Sequence, residues 1–151
     1  MRSFLPVLAL ITLVALPASA QSAADNDFTG RYKLKAVARG GSECLESNDP
    51  NSAVHGGSAF MDDCQNVTGQ TWTFEPAGDG YYRLTSEWRG PLGECLEGNG
   101  ADSPVHDGAA FMDTCRDVTG QLWMPVRERG QQYRLKTQLG GDTMCLEANE
   151  A

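Results

Sequence analysis

Along residues 28–147, apolar and polar positions alternate over short runs, and no stretch holds a helical period. Tyr32-Lys33-Leu34-Lys35-Ala36-Val37 alternates, as a strand with one buried face must. Gly40-Gly41 turns the chain. Further short strands are predicted at Cys44-Leu45-Glu46, Ala59-Phe60-Met61 and Gln70–Phe74. The stretch between Ser47 and Gly57 reads as a loop, being rich in Asn, Asp, Pro, Ser and Gly. The order then recurs at Tyr82–Thr85, Cys95-Leu96-Glu97, Ala110-Phe111-Met112 and Gln121–Met124. It begins a third time at Tyr133–Lys136 and Met144–Glu147, which makes about ten short strands.

The recurrence is a repeat in sequence. Residues Cys44–Trp72 return as Cys95–Trp123 at a constant offset of 51, with 18 of 29 positions identical and no gap. That level of identity makes internal duplication the organising fact of the chain. A four-strand unit of this size cannot bury its apolar face alone, so units must stack, as a solenoid or as a closed three-fold barrel. Closure is the better reading because it removes sheet edges. Leu34, Leu84 and Leu135 fall at equivalent positions and are expected to form one inward layer, beside Tyr32, Tyr82 and Tyr133. The third copy runs from residue 133 to Ala151 and reads as truncated. Its two remaining strands are then expected either from further coding sequence or from a partner chain at the open edge.

Residues 1–20 read as a signal peptide: Arg2, an apolar run from Phe4 to Leu16, and small residues at Ala18 and Ala20 before Gln21. The run is too short to span a bilayer, so a secreted or periplasmic protein without membrane insertion is expected. Residues 21–27 read as a flexible lead-in and 28–151 as one domain, divided into 28–80, 81–132 and 133–151. The formal charge is −8, and it becomes −9 once Arg2 is removed with the leader. Nucleic acid and anionic membranes would be repelled, which leaves neutral ligands.

Five cysteines in an exported chain are expected to form disulfides. Cys44 and Cys64 lie 20 apart, as do Cys95 and Cys115, and the repeat pairs each couple within its own copy. Cys145 is left over, free for an intermolecular bond. Cys and His occur at no spacing typical of zinc ligands.

The chemistry-bearing set Glu46, Asn48, His55 and Asp62 recurs as Glu97, Asn99, His106 and Asp113. Two carboxylates, an amide and an imidazole per copy can hydrogen-bond sugar hydroxyls, ligate Ca²⁺ through oxygen, or simply shape the loop. Trp72 and Trp123 sit in alternating runs and are expected in the core, each indole N–H needing a buried acceptor. Trp88 has no counterpart in the other copies and reads either as an exposed stacking platform or as a cover over the barrel end. No nucleophile elbow, HExxH or phosphate loop occurs, so neither catalysis nor a cofactor is expected.

The Cys-Leu-Glu triplets, the second cysteine twenty residues on, and Gln70-Thr71-Trp72 with Gln121-Leu122-Trp123 resemble the ricin-B-type lectin family. The resemblance covers about residues 28–151 and implies a β-trefoil of three repeats of about 50 residues, the third truncated. It also implies a secreted module that binds glycans, neutral sugars above all, weakly and across several copies. The sugar contacts it implies are Glu46, Asn48, Asp62 and Gln70 in repeat one, and Glu97, Asn99, Asp113 and Gln121 in repeat two. Three positions depart from the family pattern. Glu46 and Glu97 stand where Asp is usual, Asp62 and Asp113 where a stacking aromatic is usual, and Gly69 and Gly120 where Asn is frequent. The missing aromatics motivate an alternative, a non-catalytic protein-binding trefoil with no sugar site.

Overall fold

A computed structural model describes residues 27–100 and 102–148. The expected signal peptide and most of the expected lead-in lie outside the described residues. The described chain is all-β, with short 3₁₀ turns and no α-helix.

Nine strands form: β1 (Gly30–Tyr32), β2 (Glu43–Glu46), β3 (Phe60–Asp63), β4 (Trp72–Gly78), β5 (Tyr81–Ser86), β6 (Glu94–Glu97), β7 (Phe111–Thr114), β8 (Trp123–Arg129) and β9 (Gln132–Thr137). Five make one antiparallel sheet in the order β1-β4-β5-β8-β9, and the pairs β2-β3 and β6-β7 make two separate hairpins. The β4-β5 connection is the two-residue turn Asp79-Gly80, both residues at positive φ. That backbone twist matches the twist of the flanking strands, and Asp-Gly is the sequence that adopts it most readily.

The first predicted strand is shorter than its alternation implies. It ends at Tyr32, and Val37–Arg39 forms a 3₁₀ turn that leaves Val37 exposed. Ala36 O accepts both Arg39 N and Gly41 N, so the Gly40-Gly41 turn reaches further back than expected. Gln70 and Gln121 likewise lie in 3₁₀ turns just before the strands predicted to hold them. Met144–Glu147 contributes a single bridge, Lys136 to Cys145, rather than a strand.

The core gathers the alternating residues of both repeats: Leu45, Trp72, Phe74, Tyr82, Leu84, Leu96, Met112 and Trp123. Leu34 and Leu135 pack against it beside the fully buried Leu84, so the leucine layer forms. Each tryptophan finds its acceptor. Trp72 Nε1 donates to Leu45 O and Trp123 Nε1 to Leu96 O, both at 2.8 Å. Those two bonds fasten β4 to the β2-β3 hairpin and β8 to the β6-β7 hairpin. Disulfides join Cys44 to Cys64 and Cys95 to Cys115, as the repeat requires, while Cys145 is free and exposed.

The repeats are also tied to each other. Ala59 N donates to Ala110 O at 2.8 Å, and His106 Nδ1 meets Gly56 O at 2.6 Å; a carbonyl only accepts, so Nδ1 carries the proton. Arg89, 6% exposed, is forked onto both carboxylate oxygens of Glu94 at 2.7 Å and reaches Asp49 of repeat one at 3.5 Å. The Glu94 hydrogen bonds hold its guanidinium pKa above the ordinary value, against the opposing effect of burial. At the other end Phe28 packs edge-on to Tyr82 and Tyr133, which brings the β1 side of the sheet against β9.

Candidate functional site

Strand register decides which side chains share a face. In the first hairpin Glu46 lies opposite Phe60, and Cys44 opposite Asp62. Leu45 and Met61 therefore point together into the core, whereas Glu46, Phe60 and Asp62 stand on the other face. Glu46 and Asp62 are diagonal neighbours there. The second hairpin repeats the register with Glu97 opposite Phe111 and Cys95 opposite Asp113.

Each carboxylate is held from behind by the glutamine of the Gln-x-Trp motif. Gln70 is fully buried, and Nε2 donates to Glu46 Oε2 and to Asp63 O, both at 2.9 Å, while Oε1 accepts Gln65 N at 2.7 Å. Gln121 makes the same three bonds, to Glu97 Oε2, Thr114 O and Arg116 N. The glutamine thus has one fixed orientation, and it fixes that of the glutamate. Oε1 of Glu46 and of Glu97 takes no hydrogen bond among the described residues. Both glutamates are half-buried.

The two departures at the glutamate and the glycine meet in space. A Cβ on Gly69 would lie 3.1 Å from Glu46 Cγ, and a Cβ on Gly120 would lie 3.0 Å from Glu97 Cγ. A side chain before the glutamine would press on the glutamate stem, and in repeat two also on Gly98 O at 2.9 Å. Ser47 N to Gly69 O at 2.9 Å and Gly98 N to Gly120 O at 2.8 Å hold these segments together.

The asparagines serve the loop. Asn48 Nδ2 donates to Val54 O at 2.7 Å and its Oδ1 accepts Asp49 N; Asn99 does the same with Val105 O at 2.5 Å and Gly100 N. Both ends of each amide are therefore taken within the loop. Asp62 Oδ1 and Asp113 Oδ1 each cap the next backbone N–H, of Asp63 and Thr114.

An aromatic surface exists where the sequence reading placed none. His55 stacks on Phe60 with ring centroids 4.3 Å apart, and His106 lies over Phe111 at 4.5 Å. Phe60 and Phe111 are the direct cross-strand neighbours of the glutamates, so each stack stands beside its carboxylate. The histidines reach this position through left-handed backbone, φ 48° at His55 and 49° at His106. No local pattern announces that conformation. The signal that could have found the stacks is the exact return of His and Phe five residues apart in both copies.

One difference between the repeats falls beside the carboxylates. Arg116 stands where repeat one has Gln65, and its guanidinium bonds Asp113 Oδ2 and lies 3.5 Å from Glu97 Oε2. Among the described residues no group of three or more His, Cys, Asp or Glu side chains is placed to hold a metal ion. Trp88 is 42% exposed, with the Arg89 guanidinium 5.0 Å from its ring centroid.

The sequence profile of the ricin-type β-trefoil lectin domain-like family matches residues 21–112. Several solved structures are similar. A designed three-fold symmetric protein, ThreeFoil, aligns at TM-score 0.58 and 20% identity over 80% of this chain and 90% of that one. A mosquitocidal holotoxin aligns at 0.56 and 14%, over 78% of this chain and 15% of the toxin. The BEL β-trefoil in an apo form aligns at 0.52 and 15%, over 70% of this chain and 67% of that one. At these identities the likeness is one of fold. No curated protein matches the sequence.

Proposed function

The chain belongs to the ricin-type β-trefoil lectin domain-like family, and on that premise we propose that it is a non-catalytic carbohydrate-binding module. The carrying observation is the pairing of a glutamine-held carboxylate with an aromatic stack, made twice. A pyranose offers hydroxyl donors on its edge and C–H groups on its face. Glu46 Oε1 and Glu97 Oε1 supply acceptors for the first, and the rings of His55 and His106 a surface for the second. Gln70 and Gln121 act from behind, by fixing the carboxylates; Asn48 and Asn99 act by fixing the loops. Asp62 and Asp113 add a second carboxylate at the diagonal position.

Such shallow sites bind weakly one at a time, and linking copies raises the avidity of the whole. The ligand is then a glycan presenting several accessible sugars. The two disulfides are compatible with an extracellular location, and with the leader-like residues 1–20 they support a secreted or periplasmic module.

Glycan-array screening followed by calorimetric titration tests the reading. Glu46→Ala and Glu97→Ala should each weaken binding, and the double variant should abolish it. A folded wild-type protein that binds no glycan would sink the proposal. Equal binding by wild type and the double variant would remove these residues from it.

A further inference from the structure

The two hairpin faces share their strand register and the bonds that hold their carboxylates. Glu46 and Glu97 are held by the same glutamine bonds, and Asp62 and Asp113 cap the same backbone position. One nitrogen of Arg116 touches both carboxylates of repeat two. The gap between them therefore accepts a cationic nitrogen, and repeat two fills it from its own chain.

Repeat one has no such filler. Gln65 is exposed, and the bonds it makes are from its backbone, to Gln70 Oε1 and from Lys33 Nζ. Asp62 Oδ2 and Glu46 Oε1 take no hydrogen bond among the described residues. The ring beside them differs as well. His106 is engaged with Gly56 O, whereas His55 is exposed and makes no polar contact there beyond its stack on Phe60.

We infer that position 65/116 sets what each site takes: repeat one, left open by Gln65, binds a sugar carrying a protonated amino group, while Arg116 occupies the corresponding place in repeat two. The ammonium seats between Glu46 and Asp62, where it supplies both the hydrogen-bond donors and the charge that Arg116 supplies in the second copy. A neutral sugar supplies donors alone. The inference rests on the sugar-binding reading above and narrows it to one ligand class and one dominant site.

The test is a titration of the full chain with glucosamine, and in parallel with N-acetylglucosamine, which keeps the ring and loses the charge. Backbone amide shifts around Glu46 and Gln70 report repeat one, and those around Glu97 and Gln121 report repeat two. Glucosamine should perturb repeat one and bind about fivefold or more tightly than its acetylated form, with the difference shrinking as salt is raised. Gln65→Arg, at an exposed position, should remove the repeat-one response, and Arg116→Gln should create one in repeat two. Equal affinity for the two sugars, an undiminished response in Gln65→Arg, or a dominant response in repeat two of the wild type overturns the inference and leaves the lectin reading standing. Failure of both these sugars and a glycan array to bind the folded protein overturns both.

Discussion

At the scale of single residues, the stem of a glutamate packs where a glycine leaves room. Gly69→Asn should push against Glu46 Cγ and destabilise the protein by about 1 kcal/mol or more. Glu46→Ala in the same chain should recover part of that loss, because it removes Cγ and vacates the contested volume. Urea denaturation of the two single variants and the double variant checks the coupling, and additive effects would contradict it. The sequence displays both departures but not their connection. Positions 46 and 69 are 23 residues apart, and only the fold brings them within van der Waals contact. Gln70 was legible as part of a motif, yet not as a residue with all three amide bonds spent. Replacing it by Ala should cost about 2–4 kcal/mol, since Gln65 N and Asp63 O lose their buried partner and a void remains. Equilibrium unfolding measures this, and a cost below about 1 kcal/mol would show that water takes over those bonds.

At the scale of elements, alternation told most of the story. The predicted strands of repeats one and two exist apart from Tyr32–Val37, of which only Tyr32 lies in a strand, because one face of each is buried and the period of two is strict. The boundaries moved where turn chemistry competes with alternation. Val37 and Gln70 continue the apolar-polar beat, but the chain at each has already bent into a 3₁₀ turn. The hairpins β2-β3 and β6-β7 are each clasped by a disulfide that spans 20 residues. Removing either as a paired Cys→Ala change should cost about 3 kcal/mol. Comparison of the two knockouts by denaturant titration checks it, with similar losses expected from such similar loops. The pairing was readable from the repeat, whereas the His-on-Phe stacks were not, since they depend on a left-handed residue that sequence does not announce.

At the scale of the whole molecule, the three-fold plan was evident from the 51-residue offset, and the similar solved structures are β-trefoils. What the offset leaves out is how the ends of the five-stranded sheet approach one another. Phe28 does this with its ring against Phe74, Tyr82 and Tyr133. Phe28→Ala should cost about 3 kcal/mol and speed amide exchange in β9 more than in β4, which already pairs on both sides. Uniform exchange across the sheet would refute that role. The phenylalanine precedes the first strand and has no periodic partner, so no pattern marks it.

Arg89 carries a consequence for how such a protein can be cut and rejoined. Its fork onto Glu94 lies within repeat two, but its second carboxylate, Asp49, belongs to repeat one. The sequence repeats while the fastening straddles the repeat boundary. A block that carries its own bolt runs from Asp49 to Glu94, out of phase with the unit seen by eye. Exchanging whole repeats between homologous chains would separate a buried arginine from one of its acids, whereas crossovers placed outside that block would transplant the joint intact.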